Sequence, residues 1–419
     1  MLDVKMVRAN PDQVREALRR RGEATAPLDE FIAVEEERRR LTTEVESMRS
    51  ERKKASEAIG ARKKAGEDAS AEMAATRELG ERIKAREAEL AVSEARLHEL
   101  LIALPNIPLA DVPEGGEDDS VVLREVGERP AFDFPVKDHV DLGVALDVID
   151  IERAAKVSGS RFAYLKGDLV LLELALVRYG LDAVMAGGFR PVLPPVLVRE
   201  EAMYGTGFFP TDEQSIYRTT DGECLVGTSE VPLAGLHMDE FVEAESLPLR
   251  YAGFSTCFRR EAGAAGKDTR GILRVHQFDK LEMFSFCLPE QSSQEHELIR
   301  EIEESVLQGL GLPYRVVNIA AGDLGAPAAK KYDCEAWMPG QERYREVTSC
   351  SNCTDYQARR LNCRFRTDAG PRFVHTLNGT TIAMGRTIIA IMENYQRVDG
   401  TIAVPPALVP YVGKETIGG

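Results

Sequence analysis

Residues 254–286 read FSTCFRREAGAAGKDTRGILRVHQFDKLEMFSF, two apolar-rich runs joined by a small-residue, charged stretch. The reading is a pair of strands and a loop. On the second strand Leu273, Val275, Gln277, Asp279, Leu281 and Met283 fall on one face, and His276, Phe278, Lys280, Glu282 and Phe284 on the other. Phe278 and Glu282 therefore point the same way, about 13 Å apart at a strand's rise per residue. An aromatic plate with a carboxylate two pleats further on suits a site that holds a ring and an amine or hydroxyl. Arg259 and Glu261 share a face in the same sense, and the loop Ala262–Gly271 carries Lys267 and Arg270 for anions among three glycines. An edge hairpin with solvated charges fits the same pattern.

The rest of the chain bounds the possibilities. Its 419 residues allow two or three domains, and 43% apolar with 29% charged residues is ordinary for a soluble globular protein. A net charge of −16 argues against a general nucleic-acid coat, so any such partner must meet a local basic patch. The first residues, MLDVKMVRANPDQ, lack the apolar core of a signal peptide, and Leu169–Met185 is broken by Glu173, Arg178 and Asp182. Seven cysteines fit reduced thiols. No membrane partner and a cytoplasmic location are the expectation.

Within residues 1–22 a short helix is expected after an Asn10-Pro11 start, with Val14 and Leu18 on one face. Then Phe31, Val34, Arg38, Leu41, Val45, Met48, Arg52, Ala55 and Ile59 follow a 3,4 spacing. After a turn within Gly60–Ser70 it returns as Thr76, Leu79, Ile83, Arg86, Leu90, Ser93, Leu97, Leu100 and Leu104. Two such runs predict an antiparallel coiled-coil hairpin over 28–104, with arms of about 45 Å. Near its turn Arg49, Arg52, Lys53, Lys54, Arg62, Lys63 and Lys64 cluster against Glu51 and Glu57. A positive tip on a negative protein attracts a polyanion, RNA being the obvious one; a solvated coiled coil that binds protein is the competing reading.

Leu104-Pro105 ends the second helix, and PNIPLADVPEGGEDDS (105–120) has linker composition. The expected domains are 1–104, helical, and 121–419, an α+β domain with an antiparallel sheet flanked by helices. Phe189–Val198 (FRPVLPPVLV) reads as a proline-laced strand confined to an edge or interface. Tyr314–Ile319, Tyr344–Thr348 and Phe373–Asn378 read as strands, and Glu290–Leu310 and Thr387–Gln396 as helices. No GxxxxGK[ST] loop occurs, and no GxGxxG follows a strand. Arg386 falls in a helix's first turn, where it opposes the dipole; a local rule broken without local compensation points to function.

FRRE, AGKDTRG and RVHQFDKLEMF together resemble motif 2 of class II aminoacyl-tRNA synthetases, in the form carried by seryl-tRNA synthetases of the bacterial type. GFRPVLPPVLV (188–198) is similar to motif 1, whose strand forms the dimer interface, and LNGTTIAMGRTIIAIMEN to motif 3. The N-terminal stretch, the hairpin and PNIP resemble the same family, so the likeness spans the chain. It implies ATP and L-serine as substrates, Mg²⁺, a homodimer, and tRNA(Ser) as partner, with tRNA(Sec) where the host has one.

The resemblance also implies roles. Arg259 and Arg386 would be catalytic. Arg259, Arg260, Glu261, Val275, Phe278, Glu346, Val347, Thr348, Ser349 and Arg386 would bind ATP, with Glu346 and Ser349 on the metal. Plain alternation puts those two on opposite faces, so that role requires the strand to end or bulge there. Thr228, Ser229, Glu230, Glu282, Asn378 and Thr380 would hold serine. Arg52, Lys53, Lys54, Arg62, Lys63, Lys64 and Lys267 would meet tRNA. Some positions depart from the family's pattern: Arg260 where serine is frequent, Ala264-Ala265, and Thr380-Thr381 in place of an NGSG-like end. Cys350-Ser-Asn-Cys353 has no second pair at finger spacing, so packed thiols are expected rather than zinc. The alternatives are a paralogue with a biosynthetic or resistance role, and a coiled-coil interaction protein with a dead synthetase-like domain.

Overall fold

The computed structural model describes residues 1–262, 266 and 268–418. The chain divides into two compact units, one of residues 2–19 and 23–104, the other of residues 1, 20–22 and 105–419.

The first unit is helical. A short helix capped by Asp3, α1 (Val4–Ala9), comes first, and the helix expected after Asn10-Pro11 follows as α2 (Pro11–Arg20), opened by Pro11 with Val14 and Leu18 buried. Two long helices follow, α3 (Ala26–Lys64) and α4 (Ser70–Ala103), both longer than expected because the turn is confined to residues 65–69. They run antiparallel: Glu30 pairs with Arg96, Glu44 with Arg86 and Arg49 with Glu87. Phe31, Leu41, Val45, Ile83, Leu97 and Leu100 are buried along the seam. The seam's arginines are not core. Arg38 is half-buried because it serves the buried Glu35, which also takes Arg8 from α1 (2.7 and 2.9 Å). Arg52 is exposed.

The second unit is built on an eight-stranded sheet. In chain order its strands are β1 (Val121–Val126), β2 (Arg190–Val192), β3 (Leu249–Phe258), β4 (Gln277–Cys287), β5 (Tyr314–Asn318), β6 (Lys330–Met338), β7 (Arg343–Asn352) and β8 (His375–Ala383). Across the sheet they run β1-β5-β6-β7-β8-β4-β3-β2, all antiparallel except β2 on β3. The proline-laced segment does lie at an edge. It is broken, however: Pro194 and Pro195 donate nothing to a ladder, and Leu197–Val198 pairs instead with Cys224–Leu225. Helices α5 (His139–Ala145), α6 (Asp168–Ala186), α7 (Glu230–Ala234), α8 (Ser292–Gly309), α9 (Tyr356–Leu361) and α10 (Met384–Asn394) surround it.

Leu281 and Met283 face a core with Leu172 and Leu176 of α6, Ile299 and Val306 of α8, and Ile388 of α10. The approach is close: a Cβ on Gly180 of α6 would sit 2.8 Å from both Leu281 and Ile382. The opposite face, with Phe278, Lys280 and Glu282, opens on a cavity. The stretch read as a linker, 105–120, is bonded into this unit at its start. Asn106 donates to the carbonyls of Pro327 and Cys353 (both 2.9 Å), and Val112 is buried beside Val317 and Ile319. Among the described residues, no helix is long and apolar enough to cross a membrane.

Candidate active site

The cavity on the open face holds about 400 Å³. Motif 2 supplies its floor. Phe278 lies with its ring centroid 5.3 Å from the Arg259 guanidinium, and Arg259 is steadied by donating its Nε–H to the Gly227 carbonyl (3.1 Å). Glu261 turns inward through a positive φ of 52° and takes Arg274 at 2.6 Å. Val275, Ile272 and Arg274 extend the wall.

The β6–β7 pairing answers the question of Glu346 and Ser349. Cys334 pairs with Thr348 and the next residue, Glu335, with Glu346, so Val347 is an extra residue in β7. The bulge reverses the alternation, and both Glu346 and Ser349 line the cavity. Arg386, at the start of α10, donates to the Glu346 carbonyl (3.0 Å) and pairs with its carboxylate (3.1 Å). Its opposition to the helix dipole is thus compensated from a neighbouring strand. Burial would raise the Glu346 carboxyl, but Arg386 and then Lys331 hold it well below the usual carboxylate range. Lys331 itself stays charged: burial opposes the charge, and Asp333 at 3.1 Å together with Glu346 restores it.

The other end of the cavity is acidic. Glu282 receives Lys280 (2.6 Å) and the Thr380 hydroxyl (3.0 Å), both on Oε2. Thr380 stands directly opposite Glu282 across the β8–β4 pair, and a second bulge, at Thr381, follows it. Glu230 opens α7 and accepts Gln357 Nε2–H at 2.7 Å. Its carboxyl is pushed up to about 7, first by burial and then by the charge of Glu282. Thr228 and Asn378 complete this end.

The structure therefore brings Arg259, Glu261, Val275, Phe278, Glu346, Val347, Thr348, Ser349, Arg386, Thr228, Glu230, Glu282, Asn378 and Thr380 to one cavity. Two expected residues are elsewhere. Arg260 is exposed just past the end of β3, its guanidinium 6.0 Å over the Tyr217 ring and its backbone N–H donating to the Ser215 carbonyl (2.9 Å). Ser229 bonds behind the wall to the Gly253 carbonyl (3.1 Å) and Ser255 (2.8 Å). Lys267 lies outside the described residues. Sequence reasoning left out Lys280, Lys331, Arg274 and Gln357. Lys280 was legible, since it alternates with Phe278 and Glu282. Gln357 was not, because only the fold carries it to Glu230.

Among the described residues no group of three or more His, Cys, Asp or Glu side chains is placed to hold a metal ion, and all seven cysteines are free and buried. On the hairpin, Arg62 is engaged by Glu67 and Glu72 across the turn, acids the count of tip charges omitted. Arg52, Lys53, Lys54, Lys63 and Lys64 are exposed.

The chain resembles known proteins along its whole length. The family described as tRNA synthetase class II core domain (G, H, P, S and T) matches residues 215–395, and the seryl-tRNA synthetase N-terminal domain matches residues 1–108. The chain is 49% identical over 418 residues to a serine–tRNA ligase of Acidothermus cellulolyticus, covering 100% of this chain and 99% of that one. It is 49% identical over 419 residues to that of Nocardia farcinica, with the same coverage. The crystal structure of seryl-tRNA synthetase from Pyrococcus horikoshii complexed with ATP superposes with a TM-score of 0.96 at 45% identity, covering 100% of this chain and 99% of that one. The cytoplasmic enzyme of Naegleria fowleri in complex with AMP superposes at 0.90 and 34% identity, covering 100% and 98%.

Proposed function

The chain belongs to the seryl-tRNA synthetase family of class II aminoacyl-tRNA synthetases, and on that premise we propose how its residues share the work of a serine–tRNA ligase. Phe278 takes one face of adenine and Arg386 the other, with Val275 along the nucleotide and Glu261, Val347 and Thr348 beside it. Arg259 binds the α-phosphate, where its planar fork meets two oxygens at once. The serine ammonium sits among Thr228, Glu230 and Glu282, with Asn378 at the rim. Glu282 and Thr380 count the hydroxyl. Alanine brings no hydroxyl to this buried polar pair, whose carboxylate keeps only Lys280 and Thr380; a site built to bond a substrate hydroxyl rejects the analogue without it by about 10⁴–10⁵.

The serine carboxylate attacks the α-phosphorus in line, the bond to pyrophosphate breaks, and seryl-adenylate forms. A terminal ribose hydroxyl of tRNA then takes the acyl group and AMP leaves. A carboxylate needs no base, so this chain's contribution is position and charge neutralisation through Arg259 and Arg386. Glu346 and Ser349 fit Mg²⁺: both offer hard oxygen, and the Val347 bulge turns both to the cavity. When bound, the ion neutralises charge on the phosphates.

Lys53, Lys54, Lys63 and Lys64, with Arg52 and Arg62, grip the backbone of tRNA(Ser), and of tRNA(Sec) where the host has one, through phosphate contacts that position the RNA without reading its bases. Exposed apolar side chains on β2's flank and α6, Leu193 at 83% and Leu174 at 60%, support a homodimer through that edge. Seven unpaired thiols suit the reducing cytoplasm.

The carrying observation is that two guanidiniums, an aromatic plate and a pair of buried acids line one cavity. ATP–pyrophosphate exchange across the twenty amino acids tests the reading. Exchange with serine alone supports it, and silence with serine overturns it in favour of an interaction protein.

A further inference from the structure

His139 has no place in the scheme above, yet it stands where the motif 2 loop returns to the sheet. It opens α5 and is 4% exposed. Its Nε2 accepts the Ile272 N–H at 3.2 Å, which requires that this nitrogen carry no proton. The ring proton therefore sits on Nδ1, which faces Glu393 Oε1 at 3.1 Å. The backbone N–H of His139 donates to the same oxygen (3.1 Å), and Glu393 Oε2 accepts the Gly340 N–H at 2.9 Å. Glu393 is fully buried on α10, the helix that begins beside Arg386.

The loop exit is shaped for this contact. Gly271 has φ +81°, and a Cβ there would sit 2.0 Å from His139 Nε2, so only glycine lets the backbone come so near. The next residues, Ile272 and Val275, line the nucleotide end of the cavity, and the Ile272 carbonyl lies 3.2 Å from where a Cβ on Gly385 would stand. The exit thus abuts one end of α10 directly and is tied to the other through His139. Arg270 adds ion pairs to Asp138 (2.6 Å) and Asp141 (2.5 Å), but its side chain is 60% exposed, where such pairs contribute little.

We propose that His139 is a positioning residue for ATP: as the neutral Nδ1–H tautomer, it clamps the exit of the motif 2 loop to the motif 3 helix and so sets the wall against which Phe278 and Arg386 receive the base. This rests on the seryl-adenylate reading. The charged group against the ring is Glu393 from α10; Asp138 and Asp141, at the start of α5, are paired with Arg270 from the loop.

Two amides separate the two nitrogens. His139→Asn keeps a donor at the Nδ1 position and loses the acceptor for Ile272; His139→Gln puts an amide oxygen near Nε2 and restores it. In serine-dependent exchange, His139→Asn raises the KM for ATP about tenfold while the KM for serine stays within about twofold, and His139→Gln returns the ATP value to within about threefold of wild type. Both variants lose the ring, so thermal melts that match between them separate this split from a loss of folding. An unchanged KM for ATP in His139→Asn, or a rise in the serine KM as large as the ATP one, overturns the proposal. If neither variant folds, ¹⁵N-histidine spectra of the wild-type protein decide. An unprotonated Nε2 supports the clamp, and a protonated Nε2 at pH 7.5 overturns it. Failure of the wild type to exchange with serine would sink the functional reading instead, and leaves the tautomer measurement standing.

Discussion

In the proposed serine site, Glu230 is the residue at which substrate charge and protein stability pull in opposite directions. Burial and the neighbouring charge of Glu282 push its carboxyl up to about 7, so near neutrality it is partly protonated. A neutral acid cannot balance a serine ammonium. The KM for serine should therefore fall by about tenfold between pH 6 and pH 8, as the ionised fraction rises, and Glu230→Gln should hold it high and flat. The stability term runs the other way. A carboxyl raised above its unfolded value stabilises the fold fully below about 4.5 and loses that contribution as pH rises through about 7. Urea melts of the wild type and Glu230→Gln across pH 5–8 check the second half; a wild-type stability that climbs relative to the variant would contradict the assignment. This chemistry was half legible. The TSE triplet and the alternation of Phe278, Lys280 and Glu282 could be read from the chain. The environment that moves Glu230 could not, because Gln357 and Glu282 reach it only through the fold.

At the scale of elements, bulges and close approaches do what simple periodicity cannot. Alternation gave the β4 face correctly from Gln277 onward but put Leu273 and Val275 opposite Phe278, whereas both line its cavity because the strand begins only at Gln277. It also put Glu346 and Ser349 on opposite sides, and one extra residue at Val347 reverses that. β6 went unread because its Lys, Asp and Glu side chains, paired along the cavity and the sheet, obscure an apolar pattern. The hairpin was plain because one 3,4 stripe sustained over many turns has no other explanation. Close packing under β8 carries a prediction. A Cβ on Gly379 would stand 2.2 Å from Ile299 Cγ2 and 2.8 Å from Glu303 Oε1. Glu303 is fully buried, its carboxyl pushed well up by burial, and it accepts the Thr348 hydroxyl at 3.1 Å. Neither neighbour can retreat, since the helix below is packed core. Gly379→Ala should cost about 2–3 kcal/mol by urea denaturation, the upper part of the range for overpacking. A cost under about 0.5 kcal/mol would mean that α8 yields.

Across the whole molecule, the proposed division of labour makes the two units separate two activities: on that reading activation needs only the cavity, and charging also needs the cationic tip. A clean test must remove the tip without undoing the helices at its base. Arg8 and Arg38 on Glu35, Arg15 on Asp29, and Glu30 on Arg96 all tie the base together. The buried seam residues Phe31, Leu41, Leu97 and Leu100 lie there as well. The facing pairs Val34 with Ser93 and Glu44 with Arg86 place Leu41 roughly opposite Ala88. Replacing residues 42–87 with a short glycine turn therefore closes the antiparallel pair above its own core, within the loop lengths that join such helices. It removes Arg52, Lys53, Lys54, Lys63 and Lys64 together. Serine-dependent pyrophosphate exchange should stay within about threefold of wild type, while charging of tRNA(Ser) falls by about a hundredfold or more. The residual binding should lose its steep salt dependence, at close to one unit of log–log slope per phosphate contact removed. Equal loss of exchange and charging would show that the division between units does not hold, because the hairpin would then be supporting the cavity rather than presenting RNA to it.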